Sequence, residues 1–279
     1  MTDPDRTPRV LTIAGSDSGG GAGIQADLKA FARCGVHGMT AITAVTAQNT
    51  KAVIAVYPLP PEAIVEQVRA VAEDLGVDAV KIGMLGTAET IETVAAALEL
   101  VGDAPVVLDP VMIAESGARL LDEEALEAIR TRLLPRVTVV TPNLPEAKTL
   151  AGEDADPATL ARAIYALGPR AVVVTGGHRA EATDVFFDGE RLVEIPGERH
   201  PDGAAHGSGC THSSALTAFL ARGEELVDAA RWAREITAEA VGRGLRGLGQ
   251  GPGPVDVFAL TSEAPPRGRG PLSGATPLP

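Results

Sequence analysis

The run His206-Gly207-Ser208-Gly209-Cys210-Thr211 combines glycines, hydroxyls and a thiol, and leads straight into Ala215, Leu216, Phe219 and Leu220, the apolar spacing of a helix. Cys210 therefore falls at or near a helix start. Glycines let a backbone approach a ligand without side-chain clash, and the free N–H groups of a new helix carry partial positive charge outward. Such a turn suits an anion, phosphate above all. The same dipole favours thiolate over thiol, so the expectation is a lowered Cys210 pKa and a proton acceptor inside the anion cradle. The structural alternative is a plain loop with Cys210 as a small buried residue. A zinc site of His206, Cys210 and His212 would have an unfamiliar spacing and no second ligand cluster.

Other polar motifs are spread along the chain. Gly15-Ser16-Asp17-Ser18-Gly19-Gly20-Gly21-Ala22-Gly23 lies between an apolar run and a helical pattern. It lacks the G-x-G-x-x-G spacing, and no acidic residue ends the next strand about 20 residues on, which argues against dinucleotide binding. A Walker loop fails because the chain has no Gly-Lys dipeptide. What remains is a glycine wall for a small flat ligand, with Asp27 one helical turn inside, or else a flexible turn with a solvated aspartate. In Thr141-Pro142-Asn143-Leu144-Pro145-Glu146-Ala147, the amide and carboxylate can hold Mg²⁺ through water beside phosphates, or cap the next helix. Lys81, ending the apolar run 77–82, is either a phosphate contact or a snorkelling surface lysine. Thr175-Gly176-Gly177-His178 is a further glycine turn.

These motifs need elements that present them side by side. Apolar residues 9–14 predict a strand, the glycine run a loop, and Ala22, Ile24, Ala26, Leu28, Ala30 and Phe31 a helix. Strands follow at 38–47, 53–57, 79–82, 105–108, 137–141 and 171–175. Helices are expected at 60–75, 87–100, 122–133, 144–150 and 157–167. This alternation predicts an α/β fold with a mostly parallel central sheet covered on both faces. Ligands of such sheets bind beyond the carboxyl ends of the strands, where each motif above falls. Residues 184–187 and 191–195 flank Asp188-Gly189 and predict a hairpin. Helices at 211–221 and 226–241 and a glycine-rich loop at 244–254 complete the core.

Composition narrows the partners. A chain of 279 residues with 45% hydrophobic content can bury a large core, and 3% aromatics make that core aliphatic. The formal charge of −13 argues against nucleic acid or an anionic membrane as partner. Two cysteines, Cys34 and Cys210, suit a reducing compartment. With no apolar stretch of about 18 residues and a polar start, the expectation is a cytoplasmic protein. The expected organisation is a disordered stretch at 1–8, one domain at 9–262, and a Pro/Gly-rich tail at 263–279 whose composition predicts disorder.

Taken in chain order, these motifs together with Thr46-Ala47-Gln48-Asn49-Thr50, Lys81-Ile82-Gly83-Met84-Leu85 and Asp109-Pro110-Val111-Met112 resemble the hydroxymethylpyrimidine and phosphomethylpyrimidine kinases of thiamine biosynthesis. The resemblance spans roughly residues 10–253. It implies a ribokinase-like three-layer α/β/α sandwich that moves the γ-phosphoryl of ATP, with Mg²⁺, onto 4-amino-5-hydroxymethyl-2-methylpyrimidine and then onto the monophosphate. It also implies Cys210 as base, with Gly207, Ser208 and Gly209 stabilising the transferring phosphoryl. Asp27, Gln48, Met84, Val111 and Gly15 would line the pyrimidine site. Lys81, Asn143, Thr175, Gly177 and Thr211 would face ATP, Glu146 and Asp109 would face Mg²⁺, and relatives suggest a homodimer. Two departures stand out. Thr175 occupies a position where many members have lysine, and Gly251-Pro252-Gly253-Pro254-Val255-Asp256 ends in aspartate where the family often has a polar or histidine residue. Competing expectations are a pyridoxal kinase of the same fold, and a non-catalytic sensor of thiamine precursors.

Overall fold

The computed structural model describes residues 6–112, 121, 123–177, 182–200 and 203–260. The stretches expected to be disordered lie mostly outside those residues, and so does His178. Strand β1 (Arg9–Asp17) passes through the glycine loop into helix α1 (Gly23–Arg33) and strand β2 (His37–Gln48). Strand β3 (Val53–Pro58) returns antiparallel to β2. Helix α2 (Pro61–Asp74) opens on Pro61, where the ring's fixed φ fits and its missing N–H costs nothing. Then follow β4 (Ala79–Ile82), α3 (Ala88–Ala97), β5 (Val106–Leu108), α4 (Glu123–Ala128), β6 (Val139–Val140), α5 (Leu144–Ala151), α6 (Pro157–Tyr165) and β7 (Ala171–Val174). The hairpin β8 (Asp184–Phe187) and β9 (Leu192–Ile195) precedes α7 (Ser208–Ala221) and α8 (Leu226–Gly242).

All nine strands form one sheet in the order β3-β2-β1-β4-β5-β6-β7-β8-β9. The six strands from β2 to β7 in that order run parallel, and β3, β8 and β9 are antiparallel additions at the edges. Alternate strand residues point to opposite faces, which splits the core in two. Leu11, Ile13, Val80, Ile82 and Val172 pack with α2 to α6. Val10, Ala79, Val107, Val139 and Val173 pack with α1, α7 and α8. The expected three-layer α/β/α sandwich is present, with buried aliphatics such as Leu11 and Ile82 each contributing about 1.5–3 kcal/mol.

Some boundaries differ from expectation. Strand β1 continues past Ala14 to Asp17, because a register shift at Gly15 lets Ser16 and Asp17 keep pairing with Val45 and Thr46. The expected helix at 87–100 is α in its first part and closes as a 3₁₀ turn, Leu98–Val101. The one at 122–133 widens to a π turn at Ile129–Leu133 as the chain nears Pro135, which has no N–H to extend the ladder. Among the described residues no helix is long and apolar enough to cross a membrane.

Candidate active site

The carboxyl ends of β1, β4 and β5 converge with the start of α7. Beneath that point lies an ion pair. Lys81 Nζ sits 3.0 Å from Asp27 Oδ1 and 3.1 Å from Oδ2, with both side chains 0% exposed. Thr12 Oγ1 donates to Asp27 Oδ2 at 2.7 Å and Ser214 Oγ to Oδ1 at 2.8 Å. Burial alone would push the Lys81 ammonium down, but Asp27, Cys210 and Asp109 around it hold its pKa above the ordinary lysine value. Lys81, expected at a phosphate, and Asp27, expected at the pyrimidine, are both fully buried here. They form a charged floor, and the expected snorkelling lysine is an internal one.

The loop above this floor is held by the other glycine run. Gly207 caps α7 with φ +81°, and a Cβ there would lie 1.8 Å from the Gly21 carbonyl oxygen. Gly21 in turn lies against the His206 ring, and Gly23 against the Gly15 carbonyl. Gly21 and Gly23 of the 15–23 run are thus required by packing of the chain against itself. Asp17 clamps the same region. Its carboxylate accepts from the N–H groups of Gly19, Gly21 and Ala22 and from His206 Nε2 at 3.4 Å. Burial opposes ionisation of Asp17, but the His206 contact and the Gly19 and Ala22 N–H groups outweigh it and lower the pKa. Sequence reasoning did not single out Asp17, although an Asp between glycines is a recognised loop-tying residue.

In the first turn of α7, Ser208 N–H donates to the Ala205 carbonyl and Thr211 N–H to that of Gly207. The N–H groups of Gly209 and Cys210 have no acceptor among the described residues. A Cβ on Gly209 would make one ordinary van der Waals contact, with Asp109 Oδ2 at 3.8 Å, so this turn of α7 lies directly against that carboxylate. The expected lowering of the Cys210 pKa is not found. Cys210 keeps some exposed surface, yet desolvation, opposed by Lys81 but reinforced by Asp109 and Asp27, pushes its thiol up to about 12. A helix terminus contributes roughly half a charge, too little against desolvation and two nearby carboxylates. Thr211, expected on the ATP side, is fully buried, and its hydroxyl lacks a partner among the described residues.

Asn143 and Glu146 form a complete capping box at the start of α5. Glu146 N–H donates to Asn143 Oδ1 and Asn143 N–H to Glu146 Oε2, each at 3.0 Å. Met112 N–H donates to Glu146 Oε1 at 3.2 Å. Burial and the neighbouring Asp109 carboxylate push Glu146 up to about 7 despite those donors. Asp109 is raised as well, by burial above all, with Lys81 opposing. Two carboxylates pressed together suit a hard divalent cation. The described residues contain no cluster of three or more His, Cys, Asp or Glu able to hold a metal. Asp109 and Glu146 offer oxygen ligands of the kind Mg²⁺ takes, an ion that keeps waters and shares phosphate oxygens.

Gly15 touches Met84, whose carbonyl accepts from Thr43 Oγ1, and a Cβ at Gly15 would sit 2.6 Å from Met84 Cε. Val111 and Gln48 are half-buried. Gln48 exchanges backbone bonds with the Ser18 hydroxyl and lines a small cavity of about 40 Å³ with Asn49, Thr50 and His206. Thr175 pairs with Asn143 through a bridge between the ends of β6 and β7, and Gly177 is exposed.

A parallel α/β sandwich with an anion-ready helix start and paired carboxylates beyond its strand ends defines a ribokinase-like kinase. The profile described as phosphomethylpyrimidine kinase matches residues 17–256. The chain belongs to that family. The hydroxymethylpyrimidine/phosphomethylpyrimidine kinase of Streptomyces coelicolor is 48% identical over 260 residues, 91% of this chain and 96% of that one. Among solved structures, an ADP complex of Bacillus subtilis pyridoxal kinase is similar with TM-score 0.84 and 40% identity, over 91% of this chain and 98% of that one. The phosphomethylpyrimidine kinase of Clostridium difficile 630 is similar with TM-score 0.73 and 41% identity, over 82% and 96%.

Proposed function

We propose that the chain transfers the γ-phosphoryl of ATP to the hydroxymethyl oxygen of 4-amino-5-hydroxymethyl-2-methylpyrimidine, and again to the monophosphate. The observation that carries this reading is the pair of N–H groups of Gly209 and Cys210, without an acceptor among the described residues and set beside the Asp109 carboxylate. Phosphoryl transfer depends mainly on positioning and on electrostatic stabilisation of charge, which those groups supply. Asp109 and Glu146 would hold Mg²⁺, which neutralises charge on the phosphates when bound. Gly15, Met84, Gln48 and Val111 would form the walls for the ring, and Asn143, Thr175 and Gly177 the nucleotide side. Cys210 is the residue proposed to take the hydroxyl proton. A thiol at about 12 is a poor acceptor at neutral pH, so this role requires its surroundings to change when substrate binds.

Two free cysteines agree with a cytoplasmic setting. A homodimer is part of the same proposal, supported by exposed Val45, Ile54, Val56 and Tyr57 on the β2–β3 edge, and sedimentation velocity tests it. The similarity to a pyridoxal kinase favours one second reading, phosphorylation of pyridoxal. Incubation with Mg-ATP and the pyrimidine, with pyridoxal in parallel, followed by mass spectrometry of the products, separates these. Diphosphate from the pyrimidine is expected. Monophosphate alone would remove the second step, pyridoxal phosphate alone would replace the substrate, and no product in either tube would leave a binding protein.

A further inference from the structure

A fully buried carboxylate lies apart from the centre of Asp109, Glu146 and Cys210. Asp184, at the start of β8, is 0% exposed. Its Oδ1 accepts the Gly176 N–H at 2.7 Å, and its Oδ2 accepts from His212 Nε2 at 3.1 Å. Arg234 of α8 approaches Oδ1 at 4.0 Å, itself fixed against Gly197, where a Cβ would overlap its guanidinium. A carboxylate this deep is tolerated only with such compensation. Its partners come from different sides of the kinase centre. Gly176 belongs to the turn after β7, and that turn is tied by the Thr175 N–H to the Pro142 carbonyl and by a bridge to Asn143, the cap of the helix bearing Glu146. His212 lies two residues beyond Cys210, on the first turns of α7. No side chain fits at Gly176, since a Cβ there would sit 2.3 Å from the Thr183 carbonyl oxygen.

We propose that Asp184 is a positioning residue that fixes the distance between the Thr175–Gly177 turn and the start of α7, so that both sides of a bound nucleotide's phosphates are set by one buried carboxylate. This rests on the kinase reading above. Asp184 touches no reacting atom. Its effect passes through the Gly176 N–H on one side and the His212 ring on the other. Nucleotide affinity is therefore its readout, while the ring-binding walls at Gly15, Met84 and Gln48 are held by other contacts.

The test compares wild type with Asp184→Asn, His212→Leu and His212→Gln. Backbone amide exchange of the peptide containing Gly176, calorimetric affinity for the non-hydrolysable analogue AMP-PCP, and the KM of each substrate are followed. His212→Leu, a change on a helix, is expected to speed exchange at the Gly176 turn across the sheet and to weaken AMP-PCP roughly tenfold. The alcohol substrate's KM should stay unchanged. His212→Gln, which keeps a donor for Asp184, is expected to restore most of the affinity. If Asp184→Asn fails to fold, the His212 pair decides alone. Unchanged exchange at Gly176 in His212→Leu, or equal changes in both KM values, overturns the proposal. Should wild type bind no nucleotide, the kinase reading fails, while the exchange result still decides whether Asp184 couples the two segments.

Discussion

Cys210 and Lys81 show how burial reverses a reading made from residue type. A thiol at a helix start is expected to ionise easily, yet here desolvation and the carboxylates of Asp109 and Asp27 dominate, and Cys34 is pushed up to about 11 by burial as well. Both thiols should therefore be inert at neutral pH, because the thiolate is the nucleophile. Iodoacetamide at pH 7.5 should leave both unmodified by mass spectrometry, with labelling rising steeply in alkaline buffer. Fast alkylation of Cys210 at neutral pH would contradict the environment described. Cys210→Ala should keep pyrimidine binding and lower turnover by roughly 10²–10⁴-fold, the share of a general base. Near-normal turnover in a steady-state assay would remove Cys210 from the chemistry. Lys81→Met leaves Asp27 charged and unpaired, with a cost of about 3–5 kcal/mol. A denaturant melt should register that loss, whatever happens to the KM for ATP.

Helix α7 is the element through which these residues act, and its two loop glycines separate fold from chemistry. Gly207 needs its positive φ and its contact with Gly21, so Gly207→Ala must displace the loop and lower the melting temperature. Gly209 has helical backbone and room for a methyl group, so Gly209→Ala should hold or slightly raise the melting temperature, since alanine gains ~0.5–1 kcal/mol of stability over glycine in a helix. Its methyl group would nevertheless enter the space proposed for the phosphoryl, so turnover should fall. Scanning calorimetry beside an activity assay checks the pair, and two equal losses would refute the distinction. The start of α5 adds a pH signature. Glu146 is raised in the folded state to about 7 from an ordinary 4.5, so the folded protein binds its proton more tightly than the unfolded chain. That contribution is fully present below about pH 4.5 and is lost as pH rises through about 7. Glu146→Gln should flatten this slope, and Mg²⁺ should raise the wild-type melting temperature more at pH 8 than at pH 5.

At the scale of the whole molecule, the alternation of strands and helices, the mostly parallel sheet covered on both faces and the 184–195 hairpin follow from apolar spacing and turn residues that are local in sequence, so they were legible there, whereas the order of the strands in the sheet was not. What sequence could not show was depth. Whether Lys81 snorkels or is sealed in depends on α1 and α7 closing over β4, and the Asp184–His212 contact joins residues 28 apart through that same closure. Glycines told of close approach but not of what approached, and Gly21 and Gly207 turned out to meet each other. Net charge, by contrast, is readable and has a consequence. The chain carries −13, and the cation under the site, Lys81, is neutralised by Asp27. An anionic monophosphate approaching such a molecule is repelled, whereas the neutral pyrimidine alcohol is not. Raising ionic strength from roughly 0.01 M to roughly 0.15 M shortens the screening length from about 30 Å to about 8 Å. At saturating Mg-ATP the KM for the monophosphate should therefore fall with added KCl, while the KM for the alcohol stays constant. Steady-state kinetics on both substrates over that range checks it, and a monophosphate KM that rises with salt would mean that cationic groups at the site outweigh the field of the whole protein.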